Sequence, residues 1–169
     1  MERLQNILVA SNLDEVIVVL GAHSEALKPY VLKHKKIKLV YNKDYNLGQT
    51  SSFKAGLRAV SPLAQGIMAL PIDFPKIETA TIDTLLGEFK TRDPLILIPV
   101  YGDRKGHPPV FHQSLIKELS TLKDDEGLNV VVHRHADKLQ LCPVNDEGVV
   151  LSFNTREEFE KISSRQKNG

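Results

Sequence analysis

Short apolar runs alternate with longer amphipathic stretches from Val16 to Val100, and this order limits the fold more than any other feature of the chain. Runs such as Val16–Leu20, Ile67–Leu70 and Leu95–Val100 are too short for buried helices, so they read as strands. The stretches between them carry the mixed polar and apolar pattern of helices that cover a sheet. That alternation predicts βα units on a mainly parallel sheet. Strands are expected near Glu15–Leu20, Ile37–Tyr41, Gly66–Leu70 and Leu95–Pro99. Helices are expected over Met1–Asn12, with Leu4, Ile7 and Leu8 on one face, and over Ser24–Lys35, Thr50–Val60 and Thr81–Lys90.

Beyond residue 110 the order is less regular. Gln113–Leu122 reads as a helix, Leu139–Cys142 and Val149–Phe153 as strands, and Thr155 as the cap of a closing charged helix ending near Ser164, with Arg165–Gly169 frayed. The full 169 residues suit one domain with one substantial core, and no linker or repeat divides them.

Charge narrows the partners. Lys and Arg number 22 against 21 Asp and Glu, a net charge of +1, which gives no basic field for nucleic acid. No apolar run approaches the roughly 20 residues that cross a bilayer, so no membrane is expected. Cys142 is the only cysteine, and Met1 is not followed by a basic and then apolar leader; both point to the cytoplasm.

The segment Leu70-Pro71-Ile72-Asp73-Phe74-Pro75 carries the strongest chemical signal. Its aspartate follows an apolar strand, at the sheet end where open α/β folds bind ligands. A carboxylate there supplies the hard oxygen that holds Mg²⁺ against phosphates. A turn built by Asp73 and Pro75 accounts for the same residues, and the two readings stand level.

Three other loops attract attention. Asn42 to Ser52 ends in Gly48, Gln49, Thr50, Ser51 and Ser52 at a predicted helix start, which suits an anion but also ordinary capping. Tyr101 to Phe111 gathers two glycines, two prolines, Arg104, Lys105 and His107, a composition expected of a polar-substrate loop. Ser152 to Phe159 contains the capping box Thr155/Glu158, with Asn154 just before it as a neutral oxygen ligand. By contrast, Gly21 reads as a simple turn and His23 as a loop histidine.

Taken in order, these pieces resemble the nucleotidyltransferases of the molybdenum cofactor, the cytidylyl- and guanylyltransferases and their relatives. The resemblance rests on D-E-V-I-V-V-L-G-A-H-S-E, N-K-D-Y-N-L-G-Q-T-S-S-F-K-A-G-L, L-P-I-D-F-P, G-D-R-K-G-H-P-P-V-F, D-D-E-G and S-F-N-T-R-E-E-F, and it covers nearly the whole chain. It implies an α/β fold: a single-domain, Rossmann-like nucleotidyltransferase of the nucleotide-diphospho-sugar transferase type, with a mixed sheet. It also implies transfer of a nucleoside monophosphate from CTP or GTP, with CTP favoured, to a phosphorylated pterin acceptor. In that scheme Asp73 is the catalytic metal ligand for Mg²⁺ and Asn154 assists it. Gly48, Ser51 and Ser52 line the nucleotide or acceptor pocket, and Gly106 and His107 shape the acceptor side.

The sequence departs from the family pattern at its start. The strand and phosphate-binding loop L-A-A-G-x-S-x-R-M-G have no counterpart before Leu4. The expected sheet therefore lacks its first strand, normally a central one, and the 1–169 domain reads as N-terminally truncated. Without the loop's backbone donors and cations the β- and γ-phosphates lose their main cradle. Unpaired inner edges would favour a homodimer. Two other readings stay open: a non-catalytic remnant that binds a nucleotide or partner, and a sugar-phosphate nucleotidyltransferase.

Overall fold

The fold was obtained as a computed structural model, which describes residues 1–155, 157, 158 and 160. The expected amphipathic first helix forms as α1 (Glu2–Ala10), with Leu4 buried among Ile77, Ile82, Val149 and Val150, and Ile7 and Leu8 against the same cluster. Strands β1 (Val16–Leu20) and β2 (Ile37–Tyr41) follow and pair in parallel. The helix expected between them stops after one turn: α2 is Ser24–Leu27, continued by a tight turn over Lys28–Tyr30. Pro29 lacks the N–H an α-helix would need there.

Helix α3 (Gln49–Leu57) precedes β3 (Gly66–Met68), and α4 (Thr79–Arg92) precedes β4 (Ile96–Tyr101). At Gly102, whose φ of +58° suits glycine, β4 turns back into β5 (Arg104–Lys105). Next come β6 (Val110–His112), α5 (Ile116–Ser120), α6 (Asn129–Arg134) and β7 (Leu139–Pro143).

The sheet is mixed rather than mainly parallel. β6 runs antiparallel to both β3 and β4, while β7 runs parallel to β4 on its other edge. It follows that β3, β4 and β7 point the same way. Their carboxyl ends gather the turn after residue 70, the loop after residue 101 and the segment after residue 143 at one rim.

In place of the strand expected over Val149–Phe153, Leu151–Phe153 continues as irregular backbone and Glu147–Val150 forms a tight turn. Its valines are apolar because they pack on Leu4 and Ile77. The frayed segment Arg165–Gly169 and the helix end near Ser164 lie outside the described residues.

Among the described residues the strands form two separate ladders, β1–β2 and β3–β6–β4 with β5 and β7 on β4. Val16 donates to the Lys36 carbonyl and Asn42 donates to the Leu20 carbonyl, both at 2.8 Å. Alternation along a parallel ladder then turns the backbone groups of Ile17 and Val19 away from β2. In the same manner, the bonds Gln113 N to Gln65 O at 2.9 Å and Ala69 N to Pro109 O at 3.1 Å turn those of Gly66 and Met68 away from β6.

Two helices bridge the halves. Gly56 of α3 lies against Val19 and Ile17, while its neighbour Leu57 joins the core of Ile67, Ile96 and Phe111. On α1, buried Gln5 donates to the Tyr30 carbonyl and accepts from Leu32, both at 2.9 Å, while Leu4 packs on the β3 side.

Candidate functional site

Asp73 lies in the turn that leaves the carboxyl end of β3, partly exposed, and among the described residues no hydrogen bond or ion pair occupies its carboxylate. Its carbonyl is occupied, accepting from Phe153 N–H at 3.1 Å. That bond brings the segment carrying Asn154 beside Asp73, although 80 residues separate them. Asn154 itself is exposed, and its N–H donates to Glu158 at 2.7 Å. The capping box is present: Glu158 N–H donates to Thr155 Oγ1 at 3.2 Å, and Thr155 N–H donates back to the Glu158 carboxylate at 3.3 Å. Thus the Glu158 carboxylate serves the helix start through backbone N–H groups.

The same rim holds Gly106 and His107. The His107 ring stacks on Phe74 with centroids 4.3 Å apart, next to Asp73 in sequence. Burial pushes the imidazole below its ordinary pKa, against the opposing pull of the nearby Asp73 charge. Neutral imidazole is therefore the form at neutral pH, and it adds no competing cation where a metal would sit. Gly106 donates to Pro99 O and His107 to Val149 O, both at 2.8 Å. A side chain at Gly106 would run into the Val149 carbonyl, so only glycine admits this close crossing.

Asp73 and Asn154 offer one carboxylate and one amide oxygen. No cluster of three or more His, Cys, Asp or Glu that could hold a metal exists among the described residues. Two hard oxygens fit Mg²⁺, which takes most of its ligands from water and substrate phosphates, and do not fit a closed all-protein cage.

The Gly48–Ser52 region is built differently. Asn42, 7% exposed, donates to Ser51 Oγ at 2.9 Å and Ser52 Oγ at 3.0 Å. Ser51 donates in turn to the carbonyls of Asp44 and Gly48, each at 2.8 Å. Thr50 does not cap α3; its hydroxyl donates to the Glu126 carbonyl and ties α3 to the following loop. Gly48 precedes α3 with φ +106°, a conformation suited to glycine. At the end of β1, Gly21 leaves room for Tyr45, whose Cβ would stand 2.5 Å from any added side chain. Among the described residues, no hydrogen bond, ion pair or ring contact joins Gly48, Ser51 or Ser52 to Asp73, His107 or Asn154.

Sequence reasoning missed Asp146. Only 7% exposed, its carboxylate accepts from Glu78 N–H at 3.0 Å, Thr81 Oγ1 at 2.6 Å and Gly148 N–H at 2.8 Å. Nothing local in the sequence announces the bonds to Glu78 and Thr81, which lie far back along the chain. The one cue was Asp-x-Gly, a spacing that favours a side-chain-to-backbone turn.

Comparison with known proteins matches residues 1–139 to the family described as MobA-like NTP transferase domain. None of the curated proteins matches the sequence significantly. Among solved structures, the chain is similar to Rv0371c from Mycobacterium tuberculosis H37Rv, with 24% identity and a TM-score of 0.79 over 95% of this chain and 80% of that one. A manganese complex of Rv0371c aligns with 22% identity and a TM-score of 0.76, covering 95% and 83% of the two chains. The 4-diphosphocytidyl-2C-methyl-D-erythritol synthase of Anaerococcus prevotii DSM 20548 aligns at 14% identity and a TM-score of 0.77, covering 99% of this chain and 85% of that one. Molybdopterin-guanine dinucleotide biosynthesis protein A from Archaeoglobus fulgidus aligns at 16% and 0.62, covering 88% and 78%. Identities this low speak for the fold. Among the described residues, no helix is long and apolar enough to cross a membrane.

Proposed function

Because the chain belongs to the MobA-like NTP transferase domain family, we propose that its rim at Asp73 binds a nucleoside triphosphate through Mg²⁺ and serves transfer of the nucleoside monophosphate to a phosphorylated pterin acceptor, with CTP preferred over GTP. One observation supports this reading above the rest: the Phe153–Asp73 backbone bond, which holds the segment carrying Asn154 beside the Asp73 turn. Asp73 would hold the cation with one charged oxygen, and Asn154 would add a neutral one. Bound there, Mg²⁺ would neutralise phosphate charge during attack on the α-phosphorus and departure of pyrophosphate.

The remaining residues position the reactants. His107, kept neutral and braced by Phe74, offers a ring N–H to the acceptor without repelling the cation. Gly106 lets the backbone pass close enough for that ring to reach the rim. Gly48, Ser51 and Ser52 shape the nucleotide side through the backbone they hold, and Ser52 keeps its O–H as a donor. Choice of CTP draws on the resemblance of G-Q-T-S-S and G-H-P-P-V-F to cytidylyl members. The reading treats 1–169 as one domain acting in the cytoplasm, and the open edges of β1 and β3 support association of two copies.

Thermal-shift titration with CTP, GTP and ATP, with and without Mg²⁺, tests the reading. A ligand at about a hundred times its dissociation constant adds roughly 2.7 kcal/mol. The expected result is a Mg²⁺-dependent shift, largest with CTP. A shift with GTP alone would overturn the choice of base, and equal shifts without metal would overturn the role of Asp73.

A further inference from the structure

The segment from Asp146 to Phe153 crosses the rim as a strap, and its contacts fall on both halves of the candidate site. At its start, the Asp146 carboxylate takes the Glu78 N–H and the Thr81 hydroxyl at the beginning of α4. Glu78 is the residue before α4 and supplies no side-chain cap itself, so a helix start with unpaired donors is capped from a distant part of the chain. The other carboxylate oxygen takes the Gly148 N–H and closes the turn that follows.

That turn then meets each half in sequence. A side chain on Gly148 would stand 2.5 Å from the Lys76 carbonyl carbon, so the turn lies flush on the backbone that leaves Asp73. Val149 gives its carbonyl to His107 N–H at 2.8 Å, and Val150 gives its own to Arg104 at 3.2 Å. Phe153 N–H finally reaches the Asp73 carbonyl at 3.1 Å. One carboxylate thus anchors the piece of backbone that touches the Asp73 turn on one side and the His107 loop on the other.

We infer that Asp146 is a positioning residue: by anchoring the strap on α4, it sets the Asp73 carboxylate and the His107 ring in register with each other. It touches neither a ligand nor a reacting atom, and it acts through the backbone of Gly148 and Val149. The effect on metal binding rests on the proposed role of Asp73, whereas the effect on the His107 ring does not. Asp146→Asn tests the idea gently. An amide of the same shape can accept from Gly148 or from Glu78, but its NH₂ faces the other donor. Thr81→Val is the matched control, since it removes one bond at α4 while leaving the Gly148 turn closed.

The experiment reads two quantities in the full chain. One is the ring-current shift of the His107 imidazole protons by NMR, and the other is Mn²⁺ affinity by titration. Asp146→Asn is expected to move the His107 resonances toward unstacked values and to weaken Mn²⁺ by about tenfold or more, as supporting partners of metal ligands typically do. Thr81→Val is expected to lower Tm and leave both readings at their parent values. Should Asp146→Asn not fold, Gly148→Ala, which keeps the carboxylate but pushes the turn off Lys76, is expected to move the same resonances. His107 resonances unmoved by Asp146→Asn, or moved equally by Thr81→Val, would overturn the inference. A parent chain that binds no Mn²⁺ would instead overturn the metal role of Asp73 and leave the His107 shift to judge Asp146.

Discussion

The two loops that sequence motifs single out, the Asp73 rim and the Gly48–Ser52 turn, are both rich in polar groups but spend them in opposite ways. In the Gly48–Ser52 turn the side chains bond to other protein groups: Ser51 closes onto the Asp44 and Gly48 carbonyls, Asn42 holds the Ser51 and Ser52 hydroxyls, and Thr50 reaches the Glu126 carbonyl. At the rim the backbone is tied across long stretches of chain, Asp73 to Phe153 and His107 to Val149, while the Asp73 carboxylate bonds to none of the described residues. A satisfied polar group stabilises a loop; an unspent one on a fixed backbone is ready for a ligand. The contrast separates a loop whose polar groups are used within the fold from one that leaves a carboxylate uncommitted among the described residues.

Asp73→Ala should break that contrast most visibly. Metal-dependent binding is expected to disappear, and with it the roughly 2.7 kcal/mol a saturating nucleotide adds. Unliganded stability should stay within about 0.5 kcal/mol, because the side chain holds nothing in the fold. Calorimetric titration and thermal melting measure the two separately. Ser51→Ala should do the reverse first: it strips a buried hydroxyl that serves three partners, at a cost of about 1–3 kcal/mol. Loss of affinity without loss of stability in that variant would make Ser51 a direct ligand contact instead.

A smaller effect comes from pH. His107 titrates below its ordinary 6.5 in the folded chain, so near and below that value the folded state holds fewer protons than the unfolded one. Its stabilising contribution is present above 6.5 and is lost as pH falls through the lowered value. Melting curves across this range should slope less steeply in His107→Gln than in the parent. Removing the Asp73 charge should lower the His107 titration further, which NMR can follow. The least effect is expected from Ser52→Ala, about 0.5–1 kcal/mol, since Asn42 still reaches Ser51.

Much of this was legible because it is local. The strand run leading to Asp73 and the Thr155/Glu158 box each depend on neighbours within a few residues. What escaped depends on distance. Asp146 works on Glu78 and Thr81, and Val149 and Val150 are apolar for packing on Leu4 and Ile77 rather than for pairing as a strand. Helix α6 was missed for another reason: Val130, Val131 and Val132 are β-branched and disfavour a helix, yet burial of Val131 in the main core outweighs that preference.

The interrupted sheet has a consequence for how the molecule opens. No ladder bond joins β1 to β3 among the described residues, so α1 and α3 connect the two halves through side-chain and loop contacts. Amide exchange should mark that seam. The Ile17, Val19 and Met68 amides, although in strands, should lose protection well before Val18 and Ile67, which donate across a ladder. An alternation of fast and slow amides along a single strand would trace the seam residue by residue.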